Sequence, residues 1–259
     1  MPAGEGCVPL ATVAGGSIHY ETAGEGLPLV LLHGIGSNSR SWRRQLAGLC
    51  SDFKVIAWDA PGYGQSSDPA GKPSMRFYAD RLRGLLDALD LPRIFLLGHS
   101  TGGVVAQEFC RANAGAVEKL ILADTSKRGS KSKLEERLRM IRTMTPAQLA
   151  AERGPRLLSP SAPESLVREV VSIMSEVRPA GYEFAAIALA ESDTQDVLRD
   201  LRIPTLLIWG GEDEITPVWD EVPPGARLEV IPKAGHLCYA EQPEKFNDIV
   251  RDFLSPLRG

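Results

Sequence analysis

The 259-residue chain contains few cysteines, few histidines and no large excess of charge of either sign. Its four cysteines are scattered and form no C-x-x-C pair, which argues against a disulfide framework. The four histidines are far apart and show no spacing typical of a metal site, so we expect neither metal nor cofactor. A net charge of −4 argues against nucleic-acid binding, which favours strongly basic surfaces.

Long apolar runs are also missing from the chain. No stretch approaches the roughly 18 apolar residues that a membrane span requires. Residues 1–16 do not show the basic and then apolar order of a secretory signal. Hydrophobic residues make up 43% and charged residues 24%, a composition typical of globular proteins. We therefore expect a cytoplasmic protein with no membrane partner; the sequence leaves its oligomeric state open.

Short apolar runs that alternate with helical spacing predict an α/β fold. Such runs, bounded by turns, are typical of strands buried on both faces of a parallel sheet. The predicted strands are Ser17–Thr22, Leu29–Leu32, Val55–Trp58, Ile94–Leu97, Leu120–Ala123, Thr205–Trp209 and, at the sheet edge, Leu228–Ile231. The predicted helices between and after them are Ser74–Leu89, Thr101–Ala114 and Pro243–Leu254.

The alternation breaks between Asp124 and Pro204, where the sequence contains no convincing strand. This stretch is too long for a simple crossover between parallel strands, so it predicts a helical insertion on the sheet. The helices predicted within it are Lys131–Met144, Pro146–Arg153, Pro163–Ser175 and Ala180–Glu191.

A candidate nucleophile lies in the segment Gly98-His99-Ser100-Thr101-Gly102, where a predicted strand runs directly into a helix. The G-x-S-x-G pattern in this context is typical of a sharp turn that exposes the serine hydroxyl. Free N–H groups at the helix N-terminus can then face a developing negative charge. The alternative is a tight glycine-rich connection that contains an incidental serine.

A serine hydroxyl needs a base to take its proton, and elimination among the four histidines favours His236. His19 lies in an early strand and is expected to be solvated, while His33 ends a buried strand and resembles a hydrogen-bonded turn histidine. His99 is adjacent to Ser100, so the two side chains should point apart. His236 follows the last predicted strand; its alternative interpretation is a surface-loop histidine.

The base needs a carboxylate on its other ring nitrogen, and two candidates follow predicted strands. Asp213 comes just after the strand Thr205–Trp209, and Asp124 comes just after Leu120–Ala123. The carboxyl ends of parallel strands share one edge of a sheet, so both lie on the side of the predicted nucleophile. We favour Asp213, which gives the chain order Ser, Asp, His, and keep Asp124 as the alternative acid.

An oxyanion hole is predicted from the segment His33-Gly34-Ile35-Gly36, which follows the strand Leu29–Leu32. Its glycines allow the backbone to turn N–H groups toward the nucleophile. We assign the donors to the backbone N–H groups of Ile35 and Thr101, with Gly36 as an alternative to Ile35.

Together these motifs resemble the α/β-hydrolase family across nearly the whole chain, and within it the 3-oxoadipate enol-lactonase and carboxylesterase-like group. The matching segments are His33-Gly34, Asp59–Ser66, Gly98–Gly102, Gly210–Asp213 and Gly235-His236. The resemblance implies a mostly parallel eight-stranded sheet flanked by helices, with a helical lid inserted after the sixth strand. It also implies a core of residues 1–124 and 196–259, a cap of residues 125–195, and a structural role for Asp59–Ser66.

The resemblance implies a serine hydrolase that cleaves a small carboxylic ester or enol-lactone through an acyl-enzyme. Haloalkane dehalogenases and epoxide hydrolases of the family carry Asp where this chain has Ser100, which disfavours those activities. Two alternatives stay open. One is a carbon–carbon bond hydrolase of ring-cleavage diketo acids that uses the same residues. The other is a ligand-binding receptor with a slow triad.

The near-neutral charge of the whole chain conceals a basic segment, Lys127–Arg142, with seven basic and two acidic residues. One interpretation is a solvated helix face with pairs of opposite charge four residues apart. The other is that one or two of these basic side chains steer or bind a substrate that carries a carboxylate, so that the small-molecule partner is anionic. Charge reversal of Arg137 and Arg139 would test it.

Overall fold

A computed structural model describes residues 9–255 of the chain. Over this range the elements in chain order are β1 (Leu10–Val13), β2 (Gly16–Ala23), β3 (Pro28–Leu32), α1 (Arg43–Leu49), β4 (Lys54–Trp58), α2 (Met75–Ala88), β5 (Ile94–His99), α3 (Thr101–Asn113), β6 (Val117–Ala123), α4 (Lys131–Thr143), α5 (Pro146–Arg153), α6 (Glu164–Met174), α7 (Pro179–Ala190), α8 (Gln195–Asp200), β7 (Thr205–Gly210), β8 (Arg227–Ile231), α9 (Cys238–Glu241) and α10 (Pro243–Leu254). Short 3₁₀ turns occupy Ser39–Trp42, Ala114–Ala116 and Pro155–Leu157.

The eight strands form one sheet in the order β1-β2-β4-β3-β5-β6-β7-β8. Only β2 runs against its neighbours; the pairs from β4 to β8 are parallel. The predicted α/β fold with a mostly parallel eight-stranded sheet is therefore confirmed. Strands β3, β5, β6 and β7 all end at the same edge, and the loops that follow them meet there.

The central strands are apolar on both faces because helices cover both sides of the sheet. Alternate residues of β3 divide between two hydrophobic cores, since successive side chains on a strand point to opposite faces. Val30 and Leu32 pack in the core that includes α2 and α3. Leu29 and Leu31 pack in the core that includes α1 and α10. This two-sided burial explains why the strands appear in the sequence as continuous apolar runs.

The N-terminal edge of the sheet differs from the sequence prediction in two ways. Strand β1 was not predicted, because its four residues bury only Ala11 and give almost no alternation. The prediction of a solvated His19 was wrong. The side chain of His19 is buried, and its Nδ1 lies 2.7 Å from Asp59 Oδ2. The loop that carries Asp59, Gln65 and Ser66 packs over His19 and covers it.

Between β6 and β7 the described chain forms helices joined by loops, and the bounds of α4 to α7 agree with the predicted ones to within one residue, while α8 was not predicted. Helix α4 packs against α7, and α5 packs against α6. Glu169 of α6 binds both Arg43 and Arg44 of α1, at 2.6 and 2.8 Å, and so ties this helical insertion to the core. The boundary at residue 195 stays a prediction: α8 begins there and contacts α3 of the core.

Two further features bear on the composition-based expectations. No helix between residues 9 and 255 has both the length and the apolar character to cross a membrane. Cys50, Cys110 and Cys238 are free thiols, while Cys7 lies outside the described residues.

Candidate active site

Ser100 occupies the sharp turn between β5 and α3. Its φ of 52° is unusual for a residue with a side chain, and it lifts the hydroxyl away from the strand direction. The turn depends on two glycines where backbones cross closely. A Cβ on Gly98 would lie 2.4 Å from the carbonyl oxygen of Gly102, and a Cβ on Gly102 would lie 2.2 Å from that of Leu32. Only glycine fits at either position without displacing the backbone.

The structure brings Ser100, His236 and Asp213 into one hydrogen-bonded chain. The Ser100 hydroxyl lies 3.0 Å from His236 Nε2, and His236 Nδ1 lies 2.8 Å from Asp213 Oδ2. The side chains of His236 and Asp213 are 4% and 1% exposed, so bulk water does not compete for these bonds. With its proton on Nδ1, the His236 imidazole donates to the Asp213 carboxylate, and its Nε2 is free to accept the proton of Ser100.

His99 holds the His236 loop in place. Its Nε2–H donates to the main-chain carbonyl of His236 at 2.7 Å, which fixes His99 as the tautomer protonated on Nε2. Burial, aided by the neighbouring His236, lowers the pKa of His99 to about 3. His99 is therefore neutral at physiological pH and adds no positive charge beside Ser100. The Glu241 carboxylate supports the same loop by accepting the Gly235 N–H at 2.7 Å.

Asp213 is held as an ionised carboxylate. Burial alone would raise its pKa, but the hydrogen bonds from His236 and from two backbone amides bring the pKa below its ordinary value. Those amides belong to Ile215 and Thr216, and they donate to Asp213 Oδ1 at 2.8 and 3.1 Å. The second oxygen, Oδ2, is thereby aimed at the imidazole.

Asp124, the alternative acid, lies beside Asp213 but forms no hydrogen bond with the imidazole of His236. It is fully buried, and its Oδ1 accepts the Gly210 N–H at 2.8 Å while its Oδ2 accepts the Cys238 thiol at 3.0 Å. Burial, together with the nearby Asp213, raises the pKa of Asp124 well above its ordinary value. Asp124 is therefore a buried carboxyl group bonded to the backbone and to Cys238, while Asp213 is the carboxylate that binds His236.

The loop after β3 passes directly beside Ser100. A Cβ on Gly34 would lie 3.0 Å from the Ser100 Cβ, so a side chain there would crowd the nucleophile. Among the described residues, neither the Ile35 nor the Thr101 backbone N–H donates to another main-chain group. His33 braces the loop as the sequence suggested: its Nδ1–H donates to the Gly34 carbonyl, and its Nε2 accepts the Ala60 N–H.

A cavity above Ser100 extends beneath the helical insertion. One side is formed by the loop of residues 34–37 and by Ser100 and His236. The opposite wall consists of apolar side chains from one face of α6: Leu166, Val170, Ile173 and Met174. Their spacing of three, four and seven residues gives the helix an apolar stripe, a signal that the sequence analysis did not connect with the cavity.

Within the described residues, one group of side chains has the composition of a metal site. Ligand atoms of Asp124, Asp213 and His236 lie within 4.8 Å of one another. The oxygens and nitrogens of these residues already form hydrogen bonds to each other, to Ser100 and to backbone amides. The donor set therefore serves proton transfer better than coordination of a cation.

The basic segment divides between buried and exposed side chains. Arg137 is buried at 8% exposure and lines the cavity, whereas Arg139 is exposed and does not. Arg128 and Arg142 pair with carboxylates of other elements, and none of the ion pairs in residues 9–255 joins two side chains of α4. Pairs four residues apart on α4 are therefore not formed. Arg153 of α5, which the sequence analysis did not single out, also lines the cavity.

The chain is similar in sequence and in fold to proteins that are already known. The model of the alpha/beta hydrolase family matches residues 29–249 of the chain. A thermophilic esterase from Thermogutta terrifontis, solved with malate bound, is 33% identical with a TM-score of 0.89, covering 95% of this chain and 97% of the esterase. The 3-oxoadipate enol-lactonase 2 of Acinetobacter baylyi is 28% identical, covering 90% of this chain and 91% of its own length. A soluble epoxide hydrolase from a Corynebacterium strain is 29% identical, covering 96% and 97%.

Proposed function

Because this chain belongs to the alpha/beta hydrolase family, we propose that it is a serine hydrolase of small carboxylic esters or lactones. One observation carries the proposal: Ser100, His236 and Asp213 form a continuous hydrogen-bonded chain that opens into a cavity. Each of the three residues comes from a different loop at the carboxyl edge of the sheet, so the fold itself brings the three side chains together.

In the acylation step, His236 Nε2 takes the proton of Ser100 as the hydroxyl oxygen attacks the acyl carbon. Asp213 stabilises the imidazolium and keeps Nδ1 protonated. The backbone N–H groups of Ile35 and Thr101 donate hydrogen bonds to the acyl oxygen and stabilise the negative charge that develops on it. In known enzymes, one such donor lowers the barrier by about 3–4 kcal/mol. His236 then gives its proton to the departing alkoxide.

Deacylation repeats these roles with water in place of the serine. His236 takes a proton from water, the hydroxide attacks the acyl-enzyme, and the proton returns to the Ser100 oxygen as the acid leaves. With a lactone, the alcohol formed in the first step stays part of the same product.

A serine nucleophile favours acyl chemistry over the opening of an epoxide. Attack of Ser100 on an epoxide carbon would give an alkyl ether, which has no acyl carbon for water to attack. The same attack on an ester or lactone gives an acyl-enzyme that water cleaves readily. The esterase and enol-lactonase similar to this chain support this choice, while the epoxide hydrolase shares only the family.

The proposal is tested with a panel of small esters, enol-lactones and diketo acids, assayed with the wild-type protein and with Ser100→Ala. Turnover of an ester or lactone that Ser100→Ala loses would support the proposal. Cleavage of a diketo acid in preference to esters would instead favour carbon–carbon hydrolysis. Tight retention of acyl product after a single turnover would favour a receptor. In the wild type, labelling by a fluorophosphonate should map to the peptide that contains Ser100.

A further inference from the structure

Arg137 is a buried arginine that has no acidic partner. Its guanidinium forms no hydrogen bond or ion pair with any residue between 9 and 255, and its Nε is fully buried without an acceptor. Buried charges in proteins are normally paired, because transfer of a charge out of water is costly. Arg137 lines the same cavity as Ser100 and His236, so its unpaired charge faces the candidate active site.

The other charged groups of the cavity leave it electropositive. Arg153 also lines the cavity, and it forms no ion pair with any residue between 9 and 255. One carboxylate, Glu169, faces the cavity as well, but it is neutralised by both Arg43 and Arg44. A ligand with a negative charge would therefore find a cation free to bind it.

The surroundings of Arg137 reinforce this conclusion. Burial lowers the pKa of Arg137, and nearby Arg153 acts in the same direction, but an arginine side chain stays protonated in proteins. A guanidinium presents several N–H donors in a planar fork, so Arg137 alone can bind both oxygens of a carboxylate.

We propose that Arg137 binds a carboxylate of the substrate, so that the protein acts on small anionic esters or lactones. The inference rests on the proposed function of Ser100, and it names the class of substrate that the same cavity accepts. Arg139 has no part in it, because that side chain is exposed and lies outside the cavity lining.

The test compares two pairs of esters in which a carboxylate replaces an isopropyl group of the same shape. Monomethyl glutarate and methyl 5-methylhexanoate place the difference on the acyl side. The acetate ester of 3-hydroxypropanoate and isopentyl acetate place it on the alcohol side. We expect the wild type to favour the anionic member of at least one pair by about tenfold or more in kcat/KM, as one charged hydrogen-bonded contact would give.

Two matched variants on the same helix separate the specific role from general electrostatics. Arg137→Gln should abolish the preference for the anionic ester, because kcat/KM for the anionic member of the pair falls about tenfold further than kcat/KM for its neutral partner. Arg139→Gln removes the same charge from an exposed position and should keep the preference. The proposal is overturned if the wild type shows no preference in either pair, or if Arg137→Gln keeps the preference of the wild type.

A binding experiment makes the inference independent of catalysis. Calorimetric titration of Ser100→Ala with glutarate should give a Kd that a second change, Arg137→Gln, weakens by about tenfold or more. Equal affinity in the two proteins would refute the carboxylate site even if the hydrolase proposal holds. If Ser100→Ala retains ester turnover while the glutarate result is as expected, the proposed nucleophile fails and the anion site stands.

Discussion

At the scale of single residues, two carboxyl groups lie side by side behind His236, and their pKa values are shifted in opposite directions. Asp213 accepts three hydrogen bonds and keeps its charge, whereas Asp124 is fully buried and its pKa is raised. The sequence could place both at the same edge of the sheet, because each follows a predicted strand. It could not decide between them, since the choice depends on which carboxylate the imidazole reaches.

This difference predicts unequal effects of two similar substitutions. Asp213→Asn should lower kcat by about 10⁴-fold, because the amide can no longer fix the imidazole tautomer. Asp124→Asn should cost less than about tenfold, because Asp124 makes no hydrogen bond to the imidazole that the substitution would remove. Steady-state kinetics of the two variants decides the matter. A larger loss for Asp124→Asn would make Asp124 the catalytic acid.

A stability measurement at Arg137 tests whether its charge is uncompensated in the free protein. Arg137→Met removes an unpaired buried charge and keeps an apolar stem of similar length. We expect the free energy of unfolding to rise by about 1–3 kcal/mol, since such charges are costly to bury. Urea titration at neutral pH measures it, with Arg139→Met as the exposed control. A loss of stability at position 137 would mean that the guanidinium is satisfied in the folded protein.

At the scale of elements, the strand–turn–helix unit around Ser100 was the most predictable part of the site. The glycines two residues before and after Ser100 predict a close backbone crossing, and the structure contains it. The edge strand β1 was missed because four residues with one buried side chain give no periodic signal. The apolar stripe of α6 was visible, but its contact with the cavity depends on how the helical insertion folds back.

The crossing at the turn predicts a specific steric effect. Gly98→Ala should reduce the free energy of unfolding by about 1–3 kcal/mol, because the new Cβ collides with backbone that cannot move freely. Gly115→Ala is the matched control: nothing lies within 4 Å of its Cβ position, so its effect should stay within about 0.5 kcal/mol. Chemical denaturation of both variants provides the comparison. Equal stability of the two would show that the turn tolerates a side chain.

At the scale of the whole molecule, buried histidines link stability to pH. Burial lowers the pKa of His99 to about 3 and also lowers that of His33. In the unfolded chain a histidine titrates near pH 6.5, so between about pH 6.5 and 3 the unfolded state binds more protons. Above about pH 6.5 these two histidines therefore do not reduce the free energy of unfolding. As the pH falls through this window, the free energy of unfolding decreases.

His99→Gln should flatten this dependence. Glutamine can still donate to the His236 carbonyl but does not titrate. Between pH 6 and 4, the variant should lose less stability than the wild type, by up to about 1.4 kcal/mol per pH unit. Urea titrations at several pH values measure the two slopes. Parallel slopes would show that His99 takes up a proton in the folded protein as readily as in the unfolded chain.

The alternation of strands and helices and the helical insertion could be predicted from the sequence, because buried parallel strands appear as short apolar runs separated by helices. The environment of side chains such as His19 and Arg137 did not follow, because burial depends on contacts between distant segments. His19 is covered by the loop that carries Asp59, and Arg137 by the helices around α4.

If Ser100 is the nucleophile of a hydrolase, turnover should depend on its hydroxyl group. On the best ester or lactone of the panel, kcat of Ser100→Ala is compared with that of the wild type, with folding checked by circular dichroism. We predict a loss of about 10⁴–10⁶-fold, the range expected when a triad nucleophile is removed. A folded variant that keeps about a tenth of wild-type turnover would mean that Ser100 is not the nucleophile.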